Sequence, residues 1–285
     1  MLGIIGGSGL YQIEGLTGGE WREVATPWGS PSDAILVGVL DGGPIAFLPR
    51  HGRGHRIPPT DLNFRANIAA LKALGVTDVV SLSAVGSLRD DLAPGTFVIV
   101  DQFVDRTFAR VKSFFGPGLV AHVSMADPVC GRLGDLIESA ARELALPVVR
   151  AGTYLVMEGP QFSSKAESEL YRSWGMSVIG MTNMPEAKLA REAELCYATV
   201  AMVTDYDCWH PAHGHVTVDE VVRVLQGNAA AARRLIRAVV PRVAGARAAC
   251  PKGCDRALDS AIMTAPDARD PVMVERVRGI AGRVL

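Results

Sequence analysis

The alternation of short apolar runs with longer helical patterns most constrains the fold of this chain. Pro185 at a predicted helix start and Gly75 just beyond a predicted helix end are typical boundaries. This alternation predicts an α/β fold, with a central mixed sheet flanked by helices. The predicted strands cover residues 2–5, 34–40, 44–48, 78–82, 97–100, 152–157, 177–179 and 196–203. The predicted helices cover residues 61–74, 129–146, 164–174, 185–194, 217–240, 255–263 and 270–285.

Length and charge limit the kind of protein this is. No low-complexity linker divides the 285 residues, so we predict one domain over residues 1–243 with a C-terminal helical extension over residues 244–285 packed on it. A net charge of −1 provides no global field for nucleic acid or anionic lipid. The apolar runs are strand-sized, and the N-terminus has no secretory pattern. We therefore expect a soluble cytoplasmic protein without nucleic-acid or membrane partners.

The five cysteines do not resemble a secreted disulfide framework, because their number is odd and they are spread along a long chain. Cys130, Cys196 and Cys208 lie in or beside apolar segments, which predicts small buried thiols. Cys250 and Cys254 are separated by three residues, so they could close a local disulfide or supply half a metal site.

The loop that contains His210, His213 and His215 also raises the possibility of a metal. Its irregular histidine spacing and its proline favour a lid over a binding site instead. We predict no metal site in this protein.

The segment over residues 204–209 places two carboxylates directly after an apolar strand, where α/β proteins keep their chemistry. If the backbone stays extended, Asp205 and Asp207 point the same way and can bind two adjacent donors of a planar ligand. Each carboxylate would raise the pKa of the other, which suits one of them to act as a general acid. An acidic surface turn is the alternative interpretation.

Polar groups at four other strand ends suggest an anion site. Residues 6–9 read Gly-Gly-Ser-Gly, which favours a nest of backbone N–H groups but matches neither a dinucleotide-binding motif nor a P-loop. Arg50 and His51 follow the strand predicted over residues 44–48, and arginine suits phosphate geometry. Ser83 and Thr182 add hydroxyls after two further strands. A solvated basic surface loop is the alternative for Arg50 and His51.

These motifs, in their order along the chain, resemble the trimeric purine nucleoside phosphorylase superfamily, and most closely its S-methyl-5'-thioadenosine phosphorylase branch. The resemblance extends to about residue 240. It rests on GGSGL at residues 6–10, RHG at 50–52, NFRANI at 63–68, EGPQFS at 158–163, GMT at 180–182 and TDYDCW at 204–209.

The resemblance implies a Rossmann-like nucleoside phosphorylase fold and a pentosyltransferase without a cofactor. Inorganic phosphate would be the co-substrate that cleaves S-methyl-5'-thioadenosine into adenine and 5-methylthioribose 1-phosphate, in purine and methionine salvage. The resemblance assigns phosphate binding to Ser8, Arg50, His51, Ser83, the Ala84 backbone and Thr182.

The resemblance also implies roles around the nucleoside. Asp205 would be the general acid, and Asp207 would accept from the adenine amino group or share the proton. Met181 would lie by the ribose hydroxyls and Phe162 by the base, while Ser163 would tune the choice of substrate.

Three valines on one helix, Val218, Val221 and Val222, would form the apolar pocket for the methylthio group, and Val218 would also tune substrate choice. His122 would contribute to a neighbour's active site in a homotrimer. A broader purine nucleoside or methylthioinosine phosphorylase is the alternative function, and a non-catalytic nucleoside-binding protein is a third.

Overall fold

The computed structural model describes residues 1–7, 9–10, 13–211, 218–245 and 249–285, without the side chains of residues 218–221. Within these residues, eleven strands form one mixed sheet. The strands are β1 (Leu2–Gly6), β2 (Leu16–Arg22), β3 (Ile35–Leu40), β4 (Gly43–Pro49), β5 (Asp78–Ser87), β6 (Phe97–Ile99), β7 (Gln102–Asp105), β8 (Val148–Arg150), β9 (Thr153–Val156), β10 (Val178–Gly180) and β11 (Cys196–Asp205).

Helices cover both faces of this sheet. They are α1 (Phe64–Ala73), α2 (Gly131–Glu143), α3 (Lys165–Ser173), α4 (Asn183–Glu192), α5 (Val218–Val243) and α6 (Pro271–Ala281). Alternation along β1 divides the core, because Leu2 and Ile4 pack in a cluster with α2 and α5, whereas Ile5 packs in a cluster with α1, α4 and α6. The predicted α/β class with a central mixed sheet is confirmed.

β5 is the centre of the sheet and organises the rest of the molecule. One edge of β5 pairs with β11 in parallel from Asp78 to Gly86. The other edge pairs first with β1, in parallel, and then with β10, antiparallel, at Gly86 and Ser87. The ends of β1 and β10 therefore approach each other along the same edge of β5.

Three strands were missed in the sequence. β2 has exposed side chains along most of its length and contains two glycines, so it lacks the alternation that marks a half-buried strand. β7 and β8 have only four and three residues. Strands this short receive their conformation from their neighbours in the sheet rather than from a local pattern.

The helix predicted over residues 255–263 is wrong. A 3-10 turn at Cys254–Arg256 is followed by further turns, closed by hydrogen bonds such as Ala261 N–H to Leu258 O. Ile262 pairs in a β-bridge with Ala121. Backbone pairing with a distant segment therefore replaces the helix that the apolar spacing indicated.

The C-terminal segment packs on the main core. Val277 and Ile280 of α6 belong to the same buried cluster as Ile68 of α1 and Leu258. The division at residue 243 stays a prediction. No helix in the described parts of the chain is long and apolar enough to cross a membrane.

Candidate active site

The site is built around a gap in the pairing of β5. β1 pairs with β5 as far as Ser81, and β10 begins only at Gly86. Between them, Ser83 and Ala84 have β11 on one edge and no described strand on the other. Ala84 is exposed although it lies within a buried central strand. The gap therefore leaves the backbone polar groups on this edge of β5 accessible to a ligand.

Three hydroxyls converge on this gap. The Ser83 Oγ lies 2.9 Å from the Thr182 Oγ1 and 3.0 Å from the Tyr154 hydroxyl. Gly180 makes this approach possible, since a Cβ there would overlap the Tyr154 hydroxyl. Thr182 precedes α4, whose N-terminus favours an anion.

Arg50 lies directly behind the gap, with its guanidinium buried. Its Nε and Nη2 donate to the carboxylate of Glu186, at 2.9 Å and 3.2 Å, and its Nη1 donates to Leu82 O at 2.9 Å. Burial opposes the charge of Glu186, but the ion pair with Arg50 keeps the pKa of this carboxyl below its usual value. One Nη1 hydrogen of Arg50 has no acceptor among the described residues.

His51 is also buried, and its ring stacks on His55 with centroids 4.2 Å apart. Burial and the adjacent charge of Arg50 lower the pKa of His51 to about 4, so the ring is neutral at pH 7. Its Nδ1 lies 2.9 Å from Ile57 O. Because a carbonyl can only accept, Nδ1 carries the proton and Nε2 is left as an acceptor.

The backbone at the two aspartates is not extended, so that premise of the sequence interpretation is wrong. β11 ends at Asp205 after a register shift, and Asp207 adopts a left-handed conformation with φ of 51°. Asp205 accepts from Thr204 Oγ1 at 2.7 Å and from Asp207 N–H at 2.8 Å. Asp207 accepts from Ser168 Oγ at 2.5 Å.

The turn nevertheless brings both aspartate side chains to Gly86. A Cβ built on Gly86 would lie 3.1 Å from Asp205 Oδ1 and 3.3 Å from Asp207 Cβ. Burial raises the pKa of Asp205. Burial also raises the pKa of Asp207, and the charge of Asp205 adds to the rise. Burial therefore raises these pKa values more than does the repulsion between the two carboxylates, which was the cause expected from the sequence.

Comparison with known proteins identifies the family. Residues 1–241 match the family model described as the phosphorylase superfamily. The S-methyl-5'-thioadenosine phosphorylase of Cereibacter sphaeroides is 62% identical, covering 100% of this chain and 98% of that protein. The enzyme of the same name from Rhodospirillum rubrum is 62% identical over 100% of this chain and 97% of its own.

The chain belongs to the phosphorylase superfamily, in its S-methyl-5'-thioadenosine phosphorylase branch. Solved structures agree. A methylthioadenosine phosphorylase from an Antarctic soil metagenomic library is 46% identical, has a TM-score of 0.92 and covers 98% of each chain. The methylthioadenosine phosphorylase of Schistosoma mansoni in complex with adenine is 36% identical, has a TM-score of 0.84 and covers 92% of this chain and 98% of its own. The predicted nucleoside phosphorylase fold and pentosyltransferase class are confirmed.

One segment predicted to contact the nucleoside borders the turn at Asp207. The Cys208 thiol donates to Ser163 O at 3.4 Å, so the segment of Phe162 and Ser163 borders this turn. Phe162 is 70% exposed. A Cβ on Gly159 would lie 2.5 Å from the sulfur of Met181, so this glycine lets Met181 pack against the loop before Phe162.

The other predicted residues are exposed or lie outside the described residues. Val222 is exposed on α5, while the side chains of Val218 and Val221, all of Ser8 and the loop of His213 and His215 lie outside the described residues. His122 is exposed and lines a groove of about 400 Å³ with Lys112, Lys188 and Glu192. None of the groove's lining residues is a predicted phosphate-binding or catalytic residue of the same chain.

Four residues of the site were missed in the sequence. Ser168 lies one helical turn after the capping box of Ser164, and that box was a usable signal for the start of α3. Glu186 follows Pro185 in the first regular turn of α4. Tyr154 had no local signal. Arg110 is buried and donates to Met181 O, Met184 O and the Glu158 carboxylate, so it joins three loops of the site.

Proposed function

We propose that this protein catalyses the reversible phosphorolysis of S-methyl-5'-thioadenosine to adenine and 5-methylthioribose 1-phosphate. The observation that carries the proposal is the gap in β5, which has converging hydroxyls at Ser83 and two aspartate side chains at Gly86. Gly86 lies three positions along the strand from Ser83, or about 10 Å. That span suits phosphate at one end, a purine at the other and a ribose between them.

Phosphate would bind at the end of the gap nearest Arg50. The hydroxyls of Ser83 and Thr182, the Ala84 backbone and the remaining Nη1 hydrogen of Arg50 are its proposed donors. His51 is neutral, so we assign its Nε2 as the acceptor for the P–OH group of hydrogenphosphate. Ser8 would add a hydroxyl from the glycine-rich turn after β1.

The purine would bind between the carboxyl groups at Gly86. As the glycosidic bond breaks, the ribose becomes cationic and the purine gains negative charge. Phosphate stabilises the ribose, and a proton on N7 neutralises the purine. We assign this proton to Asp205, whose raised pKa favours the acid form. Asp207, fixed by Ser168, would accept from the 6-amino group.

The family resemblance assigns the rest of the proposed nucleoside site. Met181 would lie by the ribose hydroxyls, and Phe162 by the base. Val218, Val221 and Val222 would enclose the methylthio group, with Ser163 and Val218 tuning substrate choice. Inorganic phosphate would be the co-substrate, and no cofactor would take part. The two products would enter purine and methionine salvage.

The active protein would be a homotrimer in which His122 completes a neighbour's site. In support, His122 is exposed and lines a groove that contains no predicted phosphate-binding or catalytic residue of its own chain. The same stretch of chain exposes Phe108, Val111 and Val120. Exposed apolar side chains close together in sequence favour a subunit interface.

The first test measures phosphate-dependent release of the base from S-methyl-5'-thioadenosine, methylthioinosine, adenosine and inosine. We expect the methylthio 6-amino substrate to react fastest, and Asp205→Asn to lose most of that activity. Asp267→Asn, which changes an exposed carboxylate on a distant 3-10 helix, is the matched control. A preference for methylthioinosine or inosine would contradict the substrate, and the absence of phosphorolysis would leave only nucleoside binding.

Mixing two impaired variants tests the shared site. Asp205→Asn and His122→Ala would each be weakly active alone. If His122 acts on a neighbouring subunit, mixed trimers contain some sites with both residues intact, and activity recovers after subunit exchange. Activity that stays at the average of the two variants would contradict the proposed role of His122.

A further inference from the structure

Four of the five cysteines meet at one place in the core. The sulfur atoms of Cys130, Cys196, Cys250 and Cys254 all lie within 4.8 Å of one another, and all four residues are buried. They come from distant parts of the chain. The sequence interpretation had separated them, with Cys130 and Cys196 as small buried thiols and with Cys250 and Cys254 as a local disulfide or half a metal site.

The spacing of the sulfur atoms suits a shared metal ion. A tetrahedral zinc site with Zn–S bonds of about 2.3 Å requires sulfur atoms about 3.8 Å apart. The Cys130 and Cys250 sulfurs are 3.6 Å apart, and the other pairs need only small movements to reach that spacing. A disulfide would instead require two sulfurs to approach to about 2.05 Å.

The four backbones that carry these thiols are firmly held. Cys130 precedes α2, and its N–H donates to Tyr197 O at 2.7 Å. Cys196 begins β11, and its N–H donates to Thr77 O at 3.0 Å. Cys250 and Cys254 are joined by a turn in which Gly253 N–H donates to Cys250 O at 2.8 Å. A three-residue spacer is within the range found between paired cysteine ligands of zinc.

A cation lies beside the cluster. The Arg132 side chain is hydrogen-bonded to Cys196 and forms an ion pair with Asp78. The Arg132 Nε is buried and has no hydrogen-bond partner among the described residues. Four thiolates around a divalent ion carry a net charge of −2, so a guanidinium beside Cys196 would offset part of it and donate to a charged sulfur.

We propose that Cys130, Cys196, Cys250 and Cys254 bind a structural zinc ion. Four thiolates leave no coordination position open for a substrate, as is usual in structural sites. Cys196 and Asp205 lie at opposite ends of β11, about 30 Å apart by strand length. The ion would therefore not take part in phosphorolysis, but would fasten the segment after residue 249 to α2 and β11.

Metal content tests the site directly. The full chain is produced in zinc-containing medium, purified without chelators, and analysed for zinc per chain and for free thiols. We expect about one zinc per chain, as in other four-cysteine sites, in the wild type and in Cys208→Ser, the control whose cysteine lies outside the cluster. The double variant Cys250→Ser with Cys254→Ser should lose nearly all of it.

Cobalt provides a second readout that does not depend on the variant folding. Wild-type protein loaded with Co²⁺ should show the visible bands of tetrahedral cobalt and the near-ultraviolet bands of sulfur-to-cobalt charge transfer. Zinc should abolish both. Mass spectrometry without reductant shows whether the cysteines form disulfides instead. A mass lower by two hydrogens per disulfide, or four free thiols that take up neither metal, would overturn the proposal.

Discussion

The Nε of Arg50 lies 2.9 Å from Oε2 of Glu186, and the two side chains are 2% and 1% exposed. This ion pair joins the end of β4 to the first turn of α4, which lie on either side of the proposed phosphate site. Ser81 Oγ and the Tyr197 hydroxyl also donate to Glu186, at 2.6 Å and 2.8 Å. A fully satisfied buried carboxylate therefore sets the position of the arginine, and we infer that it is a positioning residue for phosphate.

Glu186→Gln should raise the KM for phosphate at least tenfold and change kcat less. The reason is that Arg50 would lose its counter-ion and its fixed orientation. Removing one partner of a buried pair also costs stability, by about 3–5 kcal/mol when no hydrogen bond survives. Steady-state kinetics at varied phosphate, with thermal unfolding of the same samples, measures both effects.

The control for Glu186→Gln is Glu275→Gln, since Glu275 is exposed and pairs with Arg278 on the surface of α6. It should alter neither quantity. A folded Glu186→Gln protein with an unchanged KM for phosphate would contradict the positioning role.

Ser168→Ala should lower kcat/KM for S-methyl-5'-thioadenosine by roughly tenfold or more, since hydrogen bonds to charged groups contribute about 1.5–3 kcal/mol. Burial raises the pKa of Asp207, and the Ser168 hydroxyl, which donates to this carboxyl group and holds it in place, opposes the rise. Ser173→Ala, in the same helix, removes a hydroxyl that only bonds to Leu170 O and should have little effect. Equal effects of the two changes would show that helix stability, and not the aspartate, is responsible.

The pH dependence of kcat should have an alkaline limb that belongs to Asp205. Burial raises the pKa of this carboxyl, so its acid form persists to higher pH than that of an ordinary aspartate. The rate should fall as the pH rises through this raised pKa, because the donor of the N7 proton is lost. Profiles of kcat against pH for the wild type and Asp205→Asn test this, and an unchanged alkaline limb in the variant would assign it to another group.

Glu192 should make the protein less stable as the pH rises. Burial raises the pKa of Glu192 from its usual 4.5 to about 7, so the folded state binds its proton more tightly than the unfolded state. Its stabilising effect is complete below pH 4.5 and is lost as the pH rises through 7, by up to about 3 kcal/mol.

Glu192→Gln removes this titration while keeping the side chain's shape. Its amide can accept from Phe114 N–H and bond to Ser113 Oγ, the two partners of the carboxyl group. Urea unfolding at pH 5 and pH 8 should show a smaller decrease in the free energy of unfolding for the variant than for the wild type. Equal decreases would show that another group is responsible for the pH dependence.

Local sequence patterns were sufficient to predict elements that depend only on neighbouring residues. The apolar run before Asp205 indicated a strand end, and Pro185 marked the first regular turn of α4, because Met184 before it is not helical. These features depend on neighbouring residues alone. For the same reason β2 was missed, since an exposed edge strand has little local pattern to read.

The sequence by itself determined which residue types stand at the strand ends, and their order was enough to indicate the family. Only the tertiary structure decided how they combine. Arg50 and Glu186 are 136 positions apart, and Cys130 and Cys250 are 120 apart. The pair of Arg50 and Glu186 forms because β5 pairs with β1, the neighbour of β4, and with β10, which precedes α4. The register of these strands also leaves Ser83 and Ala84 open. Strand register is a property of the packed sheet, since it follows from which faces are buried against which helices.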